Sequence, residues 1–297
     1  MCKYINNLLD FVQEIIDIRN NENEKTNKRI KNNESIDIYS RKDILYRGQP
    51  SDDYLLIPSI GRGKGHWSDQ GIIDYERELI IRAKMEMPHA FKNDMQPIEL
   101  LALLQHFKIP TRLLDVTENP LVALYFAVSN NYKENGEVFV FSANSSAATF
   151  PIMNAIADTY NLTMPTYPIS LDDFVKKASE RGYWSVDKAD GEWIKSVCNH
   201  PLFVYAPIHT ERQKAQRGRY ILFPNEIDVY ELHNKESFMP NIKPMEKNDS
   251  CIIDRFIIPA NSKKRLLAEL NLFGISQKVL FADSIDTVCE EIVKEYL

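Results

Sequence analysis

The chain has 297 residues, 44% of them hydrophobic and 26% charged, which is enough apolar surface for one large domain or two closely packed ones. A net charge of -6 excludes a global attraction to nucleic acid or to an anionic membrane surface, so any polyanion has to be met by a local basic pocket. The four cysteines, Cys2, Cys198, Cys251 and Cys289, have neither CxxC spacing nor histidines at zinc-site intervals, so they read as reduced and no metal is expected. With no apolar run of membrane-spanning length and no signal-peptide pattern, a cytoplasmic protein without a membrane partner is expected.

Tyr4, Ile5, Leu8, Leu9, Phe11, Val12, Ile15 and Ile16 recur at helical spacing, which predicts an amphipathic helix laid against the body. RNNENEKTNKRIKNNES, residues 19–35, is almost devoid of apolar side chains and reads as a polar surface loop. Residues 1–35 therefore form an N-terminal appendage to a main domain over 36–297. DILYRGQ, residues 43–49, suits a strand that brings Arg47 to a sheet edge. The glycines of GRGKGHWSDQG match no phosphate-loop spacing and read as a flexible link into a helix over DYERELIIRAKMEM.

PIELLALLQHF reads as a buried helix opened by Pro97 and stopped at Pro110. Pro110 favours an extended segment over 109–115, with Thr111, Leu113 and Asp115 on one face and Arg112 and Leu114 on the other. Asn119 and Pro120 are a cap and first turn for an apolar helix, LVALYFAV, whose N-terminus favours a negative group near Thr117 and Glu118. GEVFVFSAN, HPLFVYAPI, RYILF and CIIDRFIIP read as strands. FPIMNAIADTYN, SLDDFVKKASERG, NSKKRLLAELNLFGI and SIDTVCEEIVKEYL read as helices, and HTERQKAQRG as a polar connection. The irregular mixture predicts an α+β fold with a mixed or antiparallel central sheet flanked by helices.

Within QHFKIPTRLLDVTENPLVALYFA, His106, Thr111, Arg112, Asp115 and Thr117 gather beside the core. Such a cluster serves either as a ligand site or as a buried network that stabilises the fold; a buried Asp115 would need an arginine, and Arg47 or Arg112 is available. Glu226 reads as a surface charge. Arg212, Lys214, Arg217 and Arg219 form a local basic run beside Tyr220, suited either to solvent or to phosphates and a stacked base.

These residues resemble the FRG domain family, named for a Phe-Arg-Gly motif that stands here as Tyr46-Arg47-Gly48, followed by Gln49. LIPSIGR at 56–62 is similar to the family's Leu-x-Pro-Ser-x-x-Arg continuation. LLQHFKIPTRLLDVTENPLVALYFA is the strongest match, with Phe107-Lys108-Ile109-Pro110 and Asp115-Val116-Thr117 in place of the usual Tyr-Gly-Leu-Pro and Asp-Trp-Thr. RQKAQRGRYILF is similar to a Gln-x-Gly-x-Phe segment through Gln216, Gly218 and Tyr220, and the resemblance runs from about Leu45 to the C-terminus. The family occurs in bacteria, in phage-related and defence contexts.

A more distant likeness to ADP-ribosyltransferases implies that fold and NAD as a substrate. It implies a dinucleotide site in which Arg47 contacts phosphate or ribose beside Gly48 and Gln49, Thr111 and Thr117 supply hydroxyls, and Gln213 or Gln216 lies near the place of the family's late acid. Arg47 and Arg112 would face the pyrophosphate, and Tyr46, His106, Phe107 or Tyr125 would line a nicotinamide slot. With glutamine at the late position, the carboxylate has to come from Asp115, Glu118, Glu211 or Glu226. The implied functions are an ADP-ribosyltransferase-like enzyme or NAD hydrolase in antiphage defence or a toxin, with a protein or nucleic-acid acceptor. The alternative is a non-catalytic nucleotide or nucleic-acid binding module using the same cluster. Nothing in the sequence sets an oligomeric state.

Overall fold

A strand two residues long at the start of the chain settles where the N-terminal segment goes. Lys3–Tyr4 (β1) pairs in parallel with Ile252–Ile258 (β11), and Leu8–Lys31 (α1) then buries Phe11, Ile15 and Ile18. The Phe11 ring meets Phe256 edge-on at 5.6 Å. The computed structural model describes residues 3–31, 42–63, 71–147, 149–164, 166–184, 189–207, 210–232 and 234–281. Among these, α1 corrects the expected polar loop: residues 19–31 continue the helix, because Glu and Lys are good helix formers and pair along it, as Lys25 does with Glu22 at 2.6 Å.

The remaining strands are Asp43–Gln49 (β2), Leu113–Thr117 (β3), Gly136–Ala143 (β4), Ser146–Ala147 (β5), Ile169–Ser170 (β6), Leu202–Tyr205 (β7), Gly218–Leu222 (β8), Ile227–Tyr230 (β9) and Lys235–Phe238 (β10). Eight strands form one mixed sheet in the order β1-β11-β4-β2-β3-β8-β7-β5, antiparallel except for its two outermost pairs. A small antiparallel sheet has the order β6-β10-β9. The helices after α1 are Glu76–Glu86 (α2), Pro97–His106 (α3), Pro120–Val128 (α4), Pro151–Ala157 (α5), Thr159–Leu162 (α6), Leu171–Glu180 (α7), Gly191–Cys198 (α8), Glu211–Ala215 (α9), Lys263–Leu272 (α10) and Gln277–Leu280 (α11). The α+β expectation holds. The short helices α8, α9 and α11 and the β9–β10 hairpin carry too little periodicity to be read from sequence, and SIDTVCEEIVKEYL lies outside the described residues.

The strands alternate faces, and the alternation assigns each side chain a layer. Tyr46, Val138 and Val140 join α1, α4 and α10 in one cluster, while Leu113, Val204, Tyr220 and Leu222 join α3, α5 and α7 in a second on the same face of the sheet. Leu45, Leu114, Val116, Phe139, Phe141 and Ile221 occupy the other face with Leu56, Ile60, Ile242 and Met245. The residues on β3 divide as the extended reading requires, Leu113 on one side and Leu114 on the other.

β2 is an interior strand between β4 and β3, which corrects the expectation of a sheet edge. α4 crosses it so closely that a Cβ on Gly48 would stand 1.7 Å from the Ala123 carbonyl oxygen. Only a residue without a side chain allows this approach. Gly48→Ala is therefore expected to destabilise the protein by about 3 kcal/mol or more, because the backbone of α4 must shift; urea denaturation followed by circular dichroism measures it.

Candidate functional site

β2 and β3 are neighbours that barely pair. β2 matches β4 at seven positions but β3 only at Tyr46 and Thr117. Continued antiparallel pairing would set Gly48 opposite Asp115, and that pair does not form: the strands part, and Arg47 Nη1 reaches across to donate to the Asp115 carbonyl at 2.6 Å. A cleft of about 330 Å³ opens there, at the lower end of ordinary ligand sites. β2 contributes Tyr46, Arg47, Gly48 and Gln49, and β3 contributes Asp115, Val116 and Thr117. Further walls come from His106 at the end of α3, Phe126 on α4, Tyr54 and Arg62 after β2, Arg212 and Gln213 on α9, Gln216, and Tyr220 on β8.

The charge balance of the lining opposes that of the whole chain. Among the described residues Arg47, Arg62 and Arg212 share the lining with a single carboxylate, Asp115, in a protein whose net charge is -6. Burial pulls the Arg47 pKa down to about 10; the Asp115 carboxylate opposes that shift and Arg62 adds to it. Arg62 is also lowered by burial, against the pull of Asp115 and Tyr54, and its Nε and Nη2 donate to the Ile57 carbonyl at 3.1 and 3.0 Å. Both remain cations at neutral pH, where a guanidinium holds its proton. The Arg47 Nε is sealed from solvent and has no hydrogen-bond partner among the described residues. Arg212 lies 4.5 Å over the Phe281 ring. An anion entering the cleft thus replaces water around partly desolvated cations, where the interaction is stronger than at an open surface.

The other lining groups are largely engaged with the chain itself. The Thr117 hydroxyl donates to the Gln216 carbonyl at 2.6 Å and accepts the Asn119 N–H at 3.0 Å, and Gln216 Nε2 donates to the Leu280 carbonyl at 3.1 Å. Gln49 Nε2 donates to the Tyr54 carbonyl at 2.8 Å and to Glu137 at 3.3 Å, and the buried Glu137 is held in turn by Lys247 and Arg255. His106 Nδ1 stands 3.4 Å from the Thr210 hydroxyl. Lys263, with no exposed surface, donates to the carbonyls of Pro50, Asn130 and Asn131 at 2.6, 3.0 and 2.9 Å, and so fixes the cleft rim at Pro50 and Asn130.

Three expected site residues do not line the cleft. Arg112 is 1% exposed: its Nε donates to Glu76 at 2.8 Å, its Nη2 pairs with the same carboxylate, and its Nη1 donates to Asn225 at 2.9 Å. That is a closed internal network with no group left for a phosphate. Thr111 is also buried, its hydroxyl donating to Gln105 at 2.5 Å and accepting the Leu113 N–H at 3.2 Å. Glu226 accepts from Asn241 at 2.6 Å and lines a separate hollow with His200 and Lys243.

The α4 N-terminus is likewise taken by the protein's own groups. Asn119 caps it by accepting the Leu121 N–H at 3.0 Å, and Glu118 pairs with Arg219 at 2.5 Å. Of the expected aromatic slot, Tyr46 and His106 line the cleft. Tyr125 is instead packed in the core, and Phe107 is turned outward against Phe91 and His106. The basic run disperses: Arg212 lines the cleft, Lys214 lies 3.8 Å from Glu211, and Arg219 stacks 4.3 Å over Tyr205.

Tyr54, Arg62 and Phe126 complete the cleft without having been expected there, and Tyr220, named only beside the basic run, joins them. Arg62 had a signal, because it ends LIPSIGR, and Tyr220 stands in the Gln-x-Gly-x-Phe-like segment. Phe126 had none, since it sits in a helix that is apolar on every side. Residues 42–136 match the FRG domain family. The match spans β2 to the first residue of β4 and so includes the Arg47, Arg62, His106 and Asp115 part of the cleft, while the wall from Arg212 to Tyr220 lies beyond the FRG segment. Comparison with curated proteins and with solved structures returned no match. Among the described residues no helix is long and apolar enough to cross a membrane, and no group of three or more His, Cys, Asp or Glu side chains could hold a metal ion.

The two arginines at the sheet differ in kind, and their substitutions are expected to differ accordingly. Arg112→Ala leaves Glu76 charged, buried and unpaired, at a cost of about 3–5 kcal/mol. Arg47→Ala gives up one hydrogen bond to a carbonyl, about 1 kcal/mol. Denaturant unfolding of the two variants side by side measures the contrast.

Proposed function

We propose that the cleft binds a nicotinamide-dinucleotide-type ligand and that the protein is an ADP-ribosyltransferase-like enzyme or NAD hydrolase. The observation that carries this reading is the convergence of Arg47, Arg62 and Arg212 around Asp115, in a cleft with aromatic walls where the sheet splits. Arg47 and Arg62 would hold the pyrophosphate, and Tyr54, Phe126 and Tyr220 offer ring surface to a base or nicotinamide. At about 330 Å³ the cleft would take one half of a dinucleotide and leave the other half outside.

Among the described residues Asp115 is the one carboxylate in the lining, and so the group to oppose the positive charge that develops on the ribose. In that step the bond from ribose C1′ to the nicotinamide nitrogen breaks. Its electron pair leaves with the ring, which becomes neutral nicotinamide, and water or an acceptor hydroxyl or amine bonds to C1′ and gives up a proton. His106 lines the same cleft and is the candidate to take that proton.

A second reading is a binding module that holds a nucleotide or a nucleic-acid end without cleaving it. Gln213 and Gln216 favour it, because the α9 wall presents amides where a further acid would support catalysis.

Purified protein incubated with NAD, alone and with protein or nucleic-acid acceptors, separates the two. Cleavage predicts nicotinamide release that falls at least about 100-fold in Asp115→Asn, the scale set by losing one stabilising group in a transition state. In Arg47→Ala, KM is expected to rise about tenfold, the scale of a lost charge-assisted contact. Saturable NAD binding without release, abolished by Arg47→Ala, would establish the binding module instead. Neither binding nor release would overturn both.

A further inference from the structure

Resting on the reading of the cleft as a ligand site, we infer that the Tyr220 hydroxyl is a specificity-determining hydrogen-bond donor whose proton is aimed at an acceptor oxygen of the ligand. The polarity follows from a chain of contacts that begins outside the cleft. α9 opens with a capping box in which the Thr210 hydroxyl accepts the Gln213 N–H at 3.2 Å and the Gln213 side chain accepts the Thr210 N–H at 3.1 Å. A backbone N–H can only donate, so the atom facing Thr210 is the amide oxygen of Gln213, Oε1. The amide is thereby locked in one of its two orientations, and Nε2 is the atom that faces Tyr220.

Nε2 lies 2.9 Å from the Tyr220 hydroxyl oxygen. An amide nitrogen donates and does not accept, so the phenol oxygen receives this bond and its own proton points elsewhere. Among the described residues that proton has no acceptor. Tyr220 is 6% exposed and lines the cleft, so its proton is left to what the cleft holds. Burial and the Asp115 carboxylate, its cross-strand partner, both raise the Tyr220 pKa, so the hydroxyl remains a donor across the physiological range. Arg47, Arg62 and Tyr220 then present donors to the ligand, beside the Asp115 carboxylate as an acceptor. This arrangement suits a ligand that presents acceptor oxygens next to its anionic group, such as a nucleotide's sugar or carboxamide, and leaves one that presents an N–H or O–H toward Tyr220 unmatched.

Titration calorimetry with NAD tests this, using wild type, Tyr220→Phe, Gln213→Glu and the double variant. Tyr220→Phe is expected to weaken NAD binding about tenfold, the equivalent of one hydrogen bond of 1.4 kcal/mol. Gln213→Glu keeps an oxygen toward Thr210 and turns the second oxygen, an acceptor, toward Tyr220, drawing the phenol proton away from the ligand. It is expected to weaken binding by a similar factor in wild type and by less than twofold in the Tyr220→Phe background. A loss from Gln213→Glu that is equal in both backgrounds would assign the effect to added negative charge and overturn the inference. So would a Tyr220→Phe variant that binds like wild type. If wild type itself does not bind NAD, the reading of the cleft fails first and the inference falls with it. A loss that appears only as a lower fitted stoichiometry, with the affinity of the competent fraction unchanged, would assign the effect to folding and overturn the inference.

Discussion

The missing ladder between β2 and β3 is the constraint on which the rest of the site depends. An interior strand normally satisfies its backbone on both sides, and unpaired buried groups are costly. Here β2 is fully paired to β4 and meets β3 at one position, so its second edge is turned toward the cleft instead of the sheet. Arg47 bridges the opening through the Asp115 carbonyl. Its strand position places it on the face opposite Tyr46 and Gly48, and it reaches the same cleft because the strands have parted.

Holding two strands apart requires firm support around them. On one side Gly48 lets α4 press against β2, so that Val122, Ala123 and Phe126 form a rigid wall. At the rim, Lys263 gathers three carbonyls from two separate loops. Below Gln49, Glu137 is held between Lys247 and Arg255 and fixes the amide from beneath. These contacts leave most lining groups committed to the fold. Against that background the charge of Arg47, Arg62 and Asp115 and the proton of Tyr220 stand out as unspent.

That division between committed and available groups also explains how a chain of net charge -6 can present a basic cleft. Among the described residues most acids lie on the exterior, and the buried ones are neutralised in place. Glu76 is closed on Arg112, Glu118 on Arg219, and Glu137 on two cations. Among the described acids Asp115 alone enters the lining, flanked by arginines that both sense its charge. The field in the opening is set by this local count, which the total charge does not reveal.

Local physics made much of the fold readable from the residues alone. Asn119-Pro120 specified the start of α4, Pro97 and Pro110 bracketed α3, and alternation divided β3 between two faces, because caps, proline geometry and side-chain period act over a few residues. The same short range is why the sequence gathered Arg47, His106, Asp115 and Thr117 as candidates but could not separate them from Thr111, Arg112 and Glu226. Whether an arginine faces a cleft or a buried glutamate is decided by a partner far along the chain: Glu76 for Arg112, the Asp115 carbonyl for Arg47. Polar residues 19–31 were likewise helical against their apolar content, since α1 is anchored by Phe11, Ile15 and Ile18 and extends from there. The sequence determined which residues carry chemistry and which elements hold them. Only the tertiary structure decided which of those residues remain available, because availability depends on whether distant partners have already satisfied each charge and hydrogen bond.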